Sequence, residues 1–261
     1  MDVPGIPRPM LVGMIAVAVL LFGAGATWAT SWLTHSTEVK TQTLPAATTL
    51  EIQARVGDIK VVGSDRRDIQ LTTKERRSVF ARTHVRVEYA SGKLTLREMC
   101  KGVPALRAGE CTARYVLLVP RDITIQLVTH AGDVRAEDLR GDAELQTTAG
   151  DVHAVDVDGR LRLRTISGDV DAESASTDID AHTTHGDVSV LARNATEVRA
   201  QTTSGDVDVR VPNRSYDVEA QATSGDEHVT VTRDESAPRH VFAQTTAGDV
   251  RVAPGAYPAG R

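Results

Sequence analysis

The sequence is short of three things, and each shortage excludes a class of protein. It has two cysteines in 261 residues, too few for a disulfide-built scaffold or a closed zinc site. It has nine aromatic residues, three Phe, four Tyr and two Trp, so its core must be made from Val, Leu, Ile, Ala and Thr. It has no basic excess: 30 Lys and Arg face 35 Asp and Glu, a formal charge of −5. A general nucleic-acid binder needs a basic face, and none is evident. What is present is ordinary globular usage, 41% apolar and 25% charged, enough for one or two folded domains.

Charge is also missing from Pro9 to Thr34. The run from Met10 to Leu33 is almost wholly apolar, and about 20 residues suffice for a helix to cross the hydrocarbon layer. Trp28 and Trp32 near its far end suit the membrane–water interface. Arg8 is the single positive side chain before it, which favours residues 1–9 as a short cytoplasmic tail and the long remainder outside. A cleaved signal peptide, with Ala24-Gly25-Ala26 as its cleavage site, is the rival reading. Both place residues 35–261 outside the cytoplasm, either on a single-pass membrane anchor or secreted.

The remainder is written in repeats. One tripeptide recurs at Gly132-Asp133-Val134, Gly150-Asp151-Val152, Gly168-Asp169-Val170, Gly186-Asp187-Val188, Gly205-Asp206-Val207 and Gly248-Asp249-Val250, with Gly225-Asp226-Glu227 as a degenerate copy. Successive aspartates are 18, 18, 18, 19, 20 and 23 residues apart, as if coils of fixed length carried growing turns. Gly57-Asp58-Ile59 reads as an isolated copy outside the array. Six residues before each aspartate stand Leu127, Leu145, Leu163, Ala181, Ala200, Ala220 and Ala243; four before stand Thr129, Thr147, Thr165, Thr183, Thr202, Ala222 and Thr245. The residues between are mostly polar. This is period-two alternation, the mark of strands with one buried face. Identical residues recurring at coil length must stack as parallel strands about 4.8 Å apart. The expected fold is all-β: a parallel β-solenoid of about 18-residue, two-strand coils, following one N-terminal transmembrane helix.

Residues 34–45 read as a polar tether. Residues 46–120 read as an irregular β cap, with Ala90-Ser91-Gly92 as a hairpin turn and a buried strand ending at Pro120. The regular solenoid is expected over 121–252, and residues 253–261 as a disordered tail.

The N-terminal apolar segment, the VGDI motif at Val56–Ile59 and the ladder of T-x-G-D-V turns together resemble a bacterial envelope family, a β-strand-repeat domain of unknown function that carries the label "putative adhesin". The resemblance covers roughly residues 46–252. It implies an extracytoplasmic β-solenoid with no known enzymatic activity and no agreed functional residues. Association of some members with envelope stress adds a sensing role as the alternative.

Candidate sites are few. Asp133, Asp151, Asp169, Asp187, Asp206, Asp226 and Asp249 should stack one per coil, and like charges at that spacing repel by about 1 kcal/mol in water. Turn chemistry offsets this if Gly132, Gly150, Gly168, Gly186, Gly205, Gly225 and Gly248 supply a backbone angle closed to other residues while Asp and Ser/Thr side chains satisfy nearby N–H groups. A calcium ladder along the same aspartates is the other reading. Cys100 and Cys111 bracket ten residues and, outside the cytoplasm, are most simply a disulfide. His182 and His185 fall on a strand and in a turn, a poor basis for a metal site. Glu227 breaks the Val column and marks local unwinding. Paired carboxylates are plentiful only because Asp is periodic, and with no aromatic platforms or cleft walls a carbohydrate-active β-helix enzyme is the least favoured of three readings. The sequence therefore predicts a non-catalytic, cofactor-free adhesin-like binding or scaffold module. Its partners would be the membrane, and an envelope protein, wall polymer or surface ligand.

Overall fold

The computed structural model describes residues 36–77, 81–102 and 112–255, which contain strands, turns and loops and no helix. No helix among them is long and apolar enough to cross a membrane, and the run from Met10 to Leu33 lies outside them. The N-terminal strands are β1 (Ser36–Leu44), β2 (Thr49–Gln53), β3 (Ile59–Ser64), β4 (Ile69–Arg77), β5 (Ala81–Ala90), β6 (Lys93–Gly102) and β7 (Thr112–Pro120). The central ones are β8 (Thr124–Val128), β9 (Val134–Leu139), β10 (Ala143–Gln146), β11 (Val152–Val157), β12 (Leu161–Arg164), β13 (Val170–Ser174), β14 (Asp178–His182), β15 (Val188–Ala192), β16 (Glu197–Gln201) and β17 (Val207–Val211). The last are β18 (Ser215–Ser224), β19 (Glu227–Val229), β20 (Thr232–Arg233), β21 (His240–Ala247) and β22 (Val250–Pro254).

These strands form two sheets. Sheet A runs β1-β4-β7-β3-β9-β11-β13-β15-β17-β22-β19, and sheet B runs β20-β18-β21-β16-β14-β12-β10-β8-β2-β6-β5. Each turn of chain contributes one strand to each sheet, and successive turns pair in parallel with equivalent residues opposite: Val152 against Val170, Leu145 against Leu163. The alternation seen in the sequence sets which side chains turn inward. In the β12–β13 rung these are Leu161, Leu163, Val170 and Ala172, all buried. Burying each Val, Leu or Ile contributes about 1.5–3 kcal/mol. Small Ala and Val columns keep the two sheets close, so the core needs few aromatics.

The order of rungs differs from the order of the chain at both ends. Gly57-Asp58-Ile59 is not outside the array: β2 pairs in parallel with β8, and β3 with β9, so this triplet forms the first regular rung. The chain then leaves the stack, builds β4 to β7 on the outer side of that rung, and returns to lay down β8 and β9 on its inner side. The cap is therefore β4–β7 with β1, not the whole of residues 46–120. At the other end the 20- and 23-residue intervals are not lengthened turns. After β17 the chain skips one rung, forms β18 and β19, adds the short β20 outside β18, and comes back to insert β21 and β22 beneath them.

Two flanking segments are also strands. The expected tether forms β1 from Ser36 onward, antiparallel to β4 across nine residue pairs. On the face it shares with buried Leu44, its positions toward the open end are Glu38, Lys40 and Gln42, so it lacks the apolar alternation of a covered strand. The expected tail begins later, because Ala253 and Pro254 belong to β22 and the Gly255 amide donates to the Val211 carbonyl. The hairpin falls where the sequence puts it, with Ser91 (φ 51°) and Gly92 (φ 79°) joining antiparallel β5 and β6.

Candidate binding surface

One edge of the stack is built by the repeated Gly-Asp turns. The seven glycines from Gly132 to Gly248 have φ between +124° and +149°, a region open to glycine. Proximity adds a second requirement: a Cβ on Gly168 would lie 2.1 Å from the Gly150 carbonyl oxygen. Each aspartate Oδ1 accepts the backbone N–H of the aspartate one rung on. Asp133 serves Asp151 (3.0 Å), Asp151 serves Asp169 (2.9 Å), Asp169 serves Asp187 (2.9 Å), Asp187 serves Asp206 (2.8 Å), Asp206 serves Asp249 (2.8 Å) and Asp249 serves Asp226 (2.9 Å). Charge-assisted bonds of this kind are about twice as strong as neutral ones and offset the repulsion between stacked carboxylates. The buried threonines add a second ladder. Thr147, Thr165, Thr183, Thr202 and Thr245 each donate to the glycine carbonyl of the rung below, at 2.9–3.0 Å.

The ladder has one defect, at its outer end. Ala222 replaces threonine there, and Glu227 stands where the other rungs carry an inward Val or Ile. This is not unwinding: Glu227 lies on the outermost rung, is exposed, and its Oε1 accepts the Ala222 amide at 2.9 Å. Among the described residues no three His, Cys, Asp or Glu side chains gather where they could hold a metal ion. Cys100 stands in β6 opposite Thr83. Its side chain and the whole of Cys111 lie outside the described residues, and the expected disulfide with them.

At the cap, Glu98 takes over the role of a missing rung. Its Oε2 accepts the amides of Arg55 (2.7 Å) and Val56 (3.4 Å). Burial pushes its carboxyl above the usual glutamate range, against the pull of those two amides and of Tyr115. Desolvation, with Glu98 and Glu75 nearby, raises the Tyr115 phenol in turn.

A concave feature lies on the outer face of sheet A, away from the ladder. A groove of about 450 Å³ crosses strands β9 to β17. Arg135 and Arg210 stand at its ends, Asp171, Glu173 and His153 between them, and Val155 and Leu191 give it an aliphatic floor. His153 Nδ1 and Asp171 Oδ2 are 3.1 Å apart, Arg135 pairs with Glu137 at 3.2 Å, and Arg210 with Asp208 at 2.8 Å. Five strands at about 4.8 Å spacing give it a length of about 19 Å. Attention to repeated columns misses this groove, because its residues occupy outward positions two and four after each aspartate, where the residue type changes from one rung to the next. Variation within an otherwise fixed frame is the signal that could have found it.

The sequence profile of the Toastrack DUF4097 family matches residues 85–253. No curated protein matches the chain. Among solved structures, a "putative adhesin" from Bacteroides fragilis NCTC 9343 superposes with a TM-score of 0.52 at 13% identity, covering 84% of this chain and 97% of its own. A "putative cell adhesion protein" from Clostridium sporogenes ATCC 15579 gives 0.41 at 10% identity, covering 84% of this chain and 100% of its own. A "putative lipid binding protein" from Parabacteroides distasonis ATCC 8503 gives 0.38 at 11% identity, covering 85% of this chain and 97% of its own.

Proposed function

This chain belongs to the Toastrack DUF4097 family, and we propose that it is a non-catalytic binding module, held outside the membrane by its N-terminal apolar run, that grips an extended polymer in the groove of sheet A. The groove carries this reading. It is long, shallow and of mixed charge, with cationic ends, an acidic middle and an aliphatic floor. An extended peptide rises about 3.3 Å per residue, so roughly six residues fill it. Amines along such a strand meet Asp171 and Glu173, carboxylates meet Arg135 and Arg210, and aliphatic side chains meet Val155 and Leu191. The peptide-bearing wall polymers of the envelope have this chemistry. The description of the Bacteroides fragilis structure as a "putative adhesin" accords with a binding role.

The full chain in mild detergent, mixed with purified cell-wall sacculi and sedimented, tests the proposal. It should pellet with the sacculi without releasing soluble fragments. Leu191→Arg, which fills the floor with a charged side chain, should leave most of the protein in the supernatant. Equal pelleting of the variant would reject the groove, and release of wall fragments would reject a non-catalytic role.

A second reading, an envelope sensor working with a membrane partner, is favoured by β1. That strand is hydrogen-bonded into the stack from Ser36, three residues beyond the apolar run, so force or rotation on the rod would reach the anchor. A stoichiometric membrane protein recovered with the detergent-extracted chain supports sensing over adhesion.

A further inference from the structure

We infer that the N-terminal end of the stack is itself a membrane-facing surface, seated on an anionic lipid interface. This rests on the anchor reading above and adds how the rod meets the bilayer. Thr34 and His35 alone separate the apolar run from β1. Two residues reach at most about 7 Å, so the first strand cannot stand far from the end of that run. β1 is the outermost strand of sheet A and β5 the outermost of sheet B, and β4 beside β1 touches β5. All belong to the same end of the rod.

That end joins charged residues to exposed apolar ones on the core-facing side of β5. Val85, Val87 and Tyr89 lie opposite Glu98, Leu96 and Leu94 across the β5–β6 pair, which puts them on the core-facing side. Leu94 and Leu96 are buried, but among the described residues no further strand covers β5, and Val87 is 37% and Tyr89 54% exposed. Val39, on the outer face of β1, is 60% exposed. Tyrosine is enriched at the level of lipid headgroups. Lysine and arginine on edge strands also discourage sheet addition, but that purpose is not served by Val87 and Tyr89 between them.

Charge gives the surface its partner. Strands β1, β4, β5 and β6 carry nine Lys and Arg against four Glu, in a chain of net charge −5. Residues 123–261 hold 13 Arg and no Lys against 24 Asp and Glu. The basic end is thus the anchored end, and the acidic remainder is repelled by the surface that attracts it. Basic segments beside a membrane are drawn to anionic lipid within about a Debye length, so the rod should stand upright with β1 and β5 in the headgroup layer.

Tyr89→Trp in the full chain, in a Trp28→Phe, Trp32→Phe background, places one indole at this surface. The chain is reconstituted into phosphatidylglycerol vesicles whose lipids are brominated near the headgroup end of the acyl chain. Most of the emission from that single indole should be lost, and Lys40→Glu with Arg86→Glu should restore much of it. Full emission from a chain that resists alkaline carbonate extraction would overturn the inference while leaving the anchor intact. A chain stripped by carbonate would overturn the anchor and this inference together. Equal quenching in neutral phosphatidylcholine vesicles would overturn the assignment to anionic lipid.

Discussion

Three single residues carry testable weight. Gly168 cannot take a side chain: φ is +143°, and a Cβ would meet the Gly150 carbonyl oxygen at 2.1 Å and Asp151 Oδ1 at 2.9 Å. Gly168→Ala should cost about 3 kcal/mol or more, read as a lower urea midpoint or loss of soluble protein; an unchanged midpoint contradicts the turn ladder. Thr165→Val keeps the volume but removes the donor to the Gly150 carbonyl (3.0 Å). Leaving that half-buried acceptor unmet costs about 1 kcal/mol, again measured in urea. Glu98 sets a pH dependence. Its folded-state value is raised by burial, so its contribution is favourable below the unfolded value of about 4.3 and is lost as pH climbs through the folded value. Glu98→Gln still accepts the Arg55 and Val56 amides but does not titrate. It should be more stable than the natural chain above that window and flatter across it, and a variant that follows the natural profile there contradicts the desolvation account. The glycines and threonines are legible in the sequence because each recurs seven or six times. Glu98 is not, since its role depends on a rung the chain omits.

Strands are where sequence and structure part most. On the face it shares with Leu44, β1 carries only polar residues toward its open end, so nothing in its pattern distinguishes a strand from a linker; backbone pairing with β4 and the location at an end of the stack decide it. The Glu227 exchange reads as a flaw in the repeat and is edge protection. On the outermost rung it occupies the inward column with a charge and ties up the Ala222 amide, two devices that discourage further strands from adding. Glu227→Val completes an apolar column on an uncovered rung and frees that amide. Its mass by light scattering should rise with concentration more steeply than that of the natural chain; the same concentration dependence in both would contradict this role for Glu227.

At the scale of the molecule, the 18-residue period dictates parallel stacking and a two-sheet core, which is why the fold class can be read directly. The order of rungs cannot, because every Gly-Asp turn presents the same donor and acceptor to its neighbour and carries no mark of its place. An excursion after Ser64 and another after Val211 give the chain freedom to skip a rung and return. The resulting stack has aspartates in the order 58, 133, 151, 169, 187, 206, 249, 226, and the make-up of both its ends follows from it. Paired cysteines test that order most directly. With Cys100 and Cys111 replaced by serine, Asp208→Cys and Arg251→Cys face each other in adjacent strands β17 and β22, within the roughly 7 Å a disulfide spans. Asp208→Cys and His228→Cys are two rungs apart, about 9.6 Å. Mild oxidation should link the first pair and spare the second; a link between 208 and 228, with 208 and 251 left free, would contradict the inserted rung.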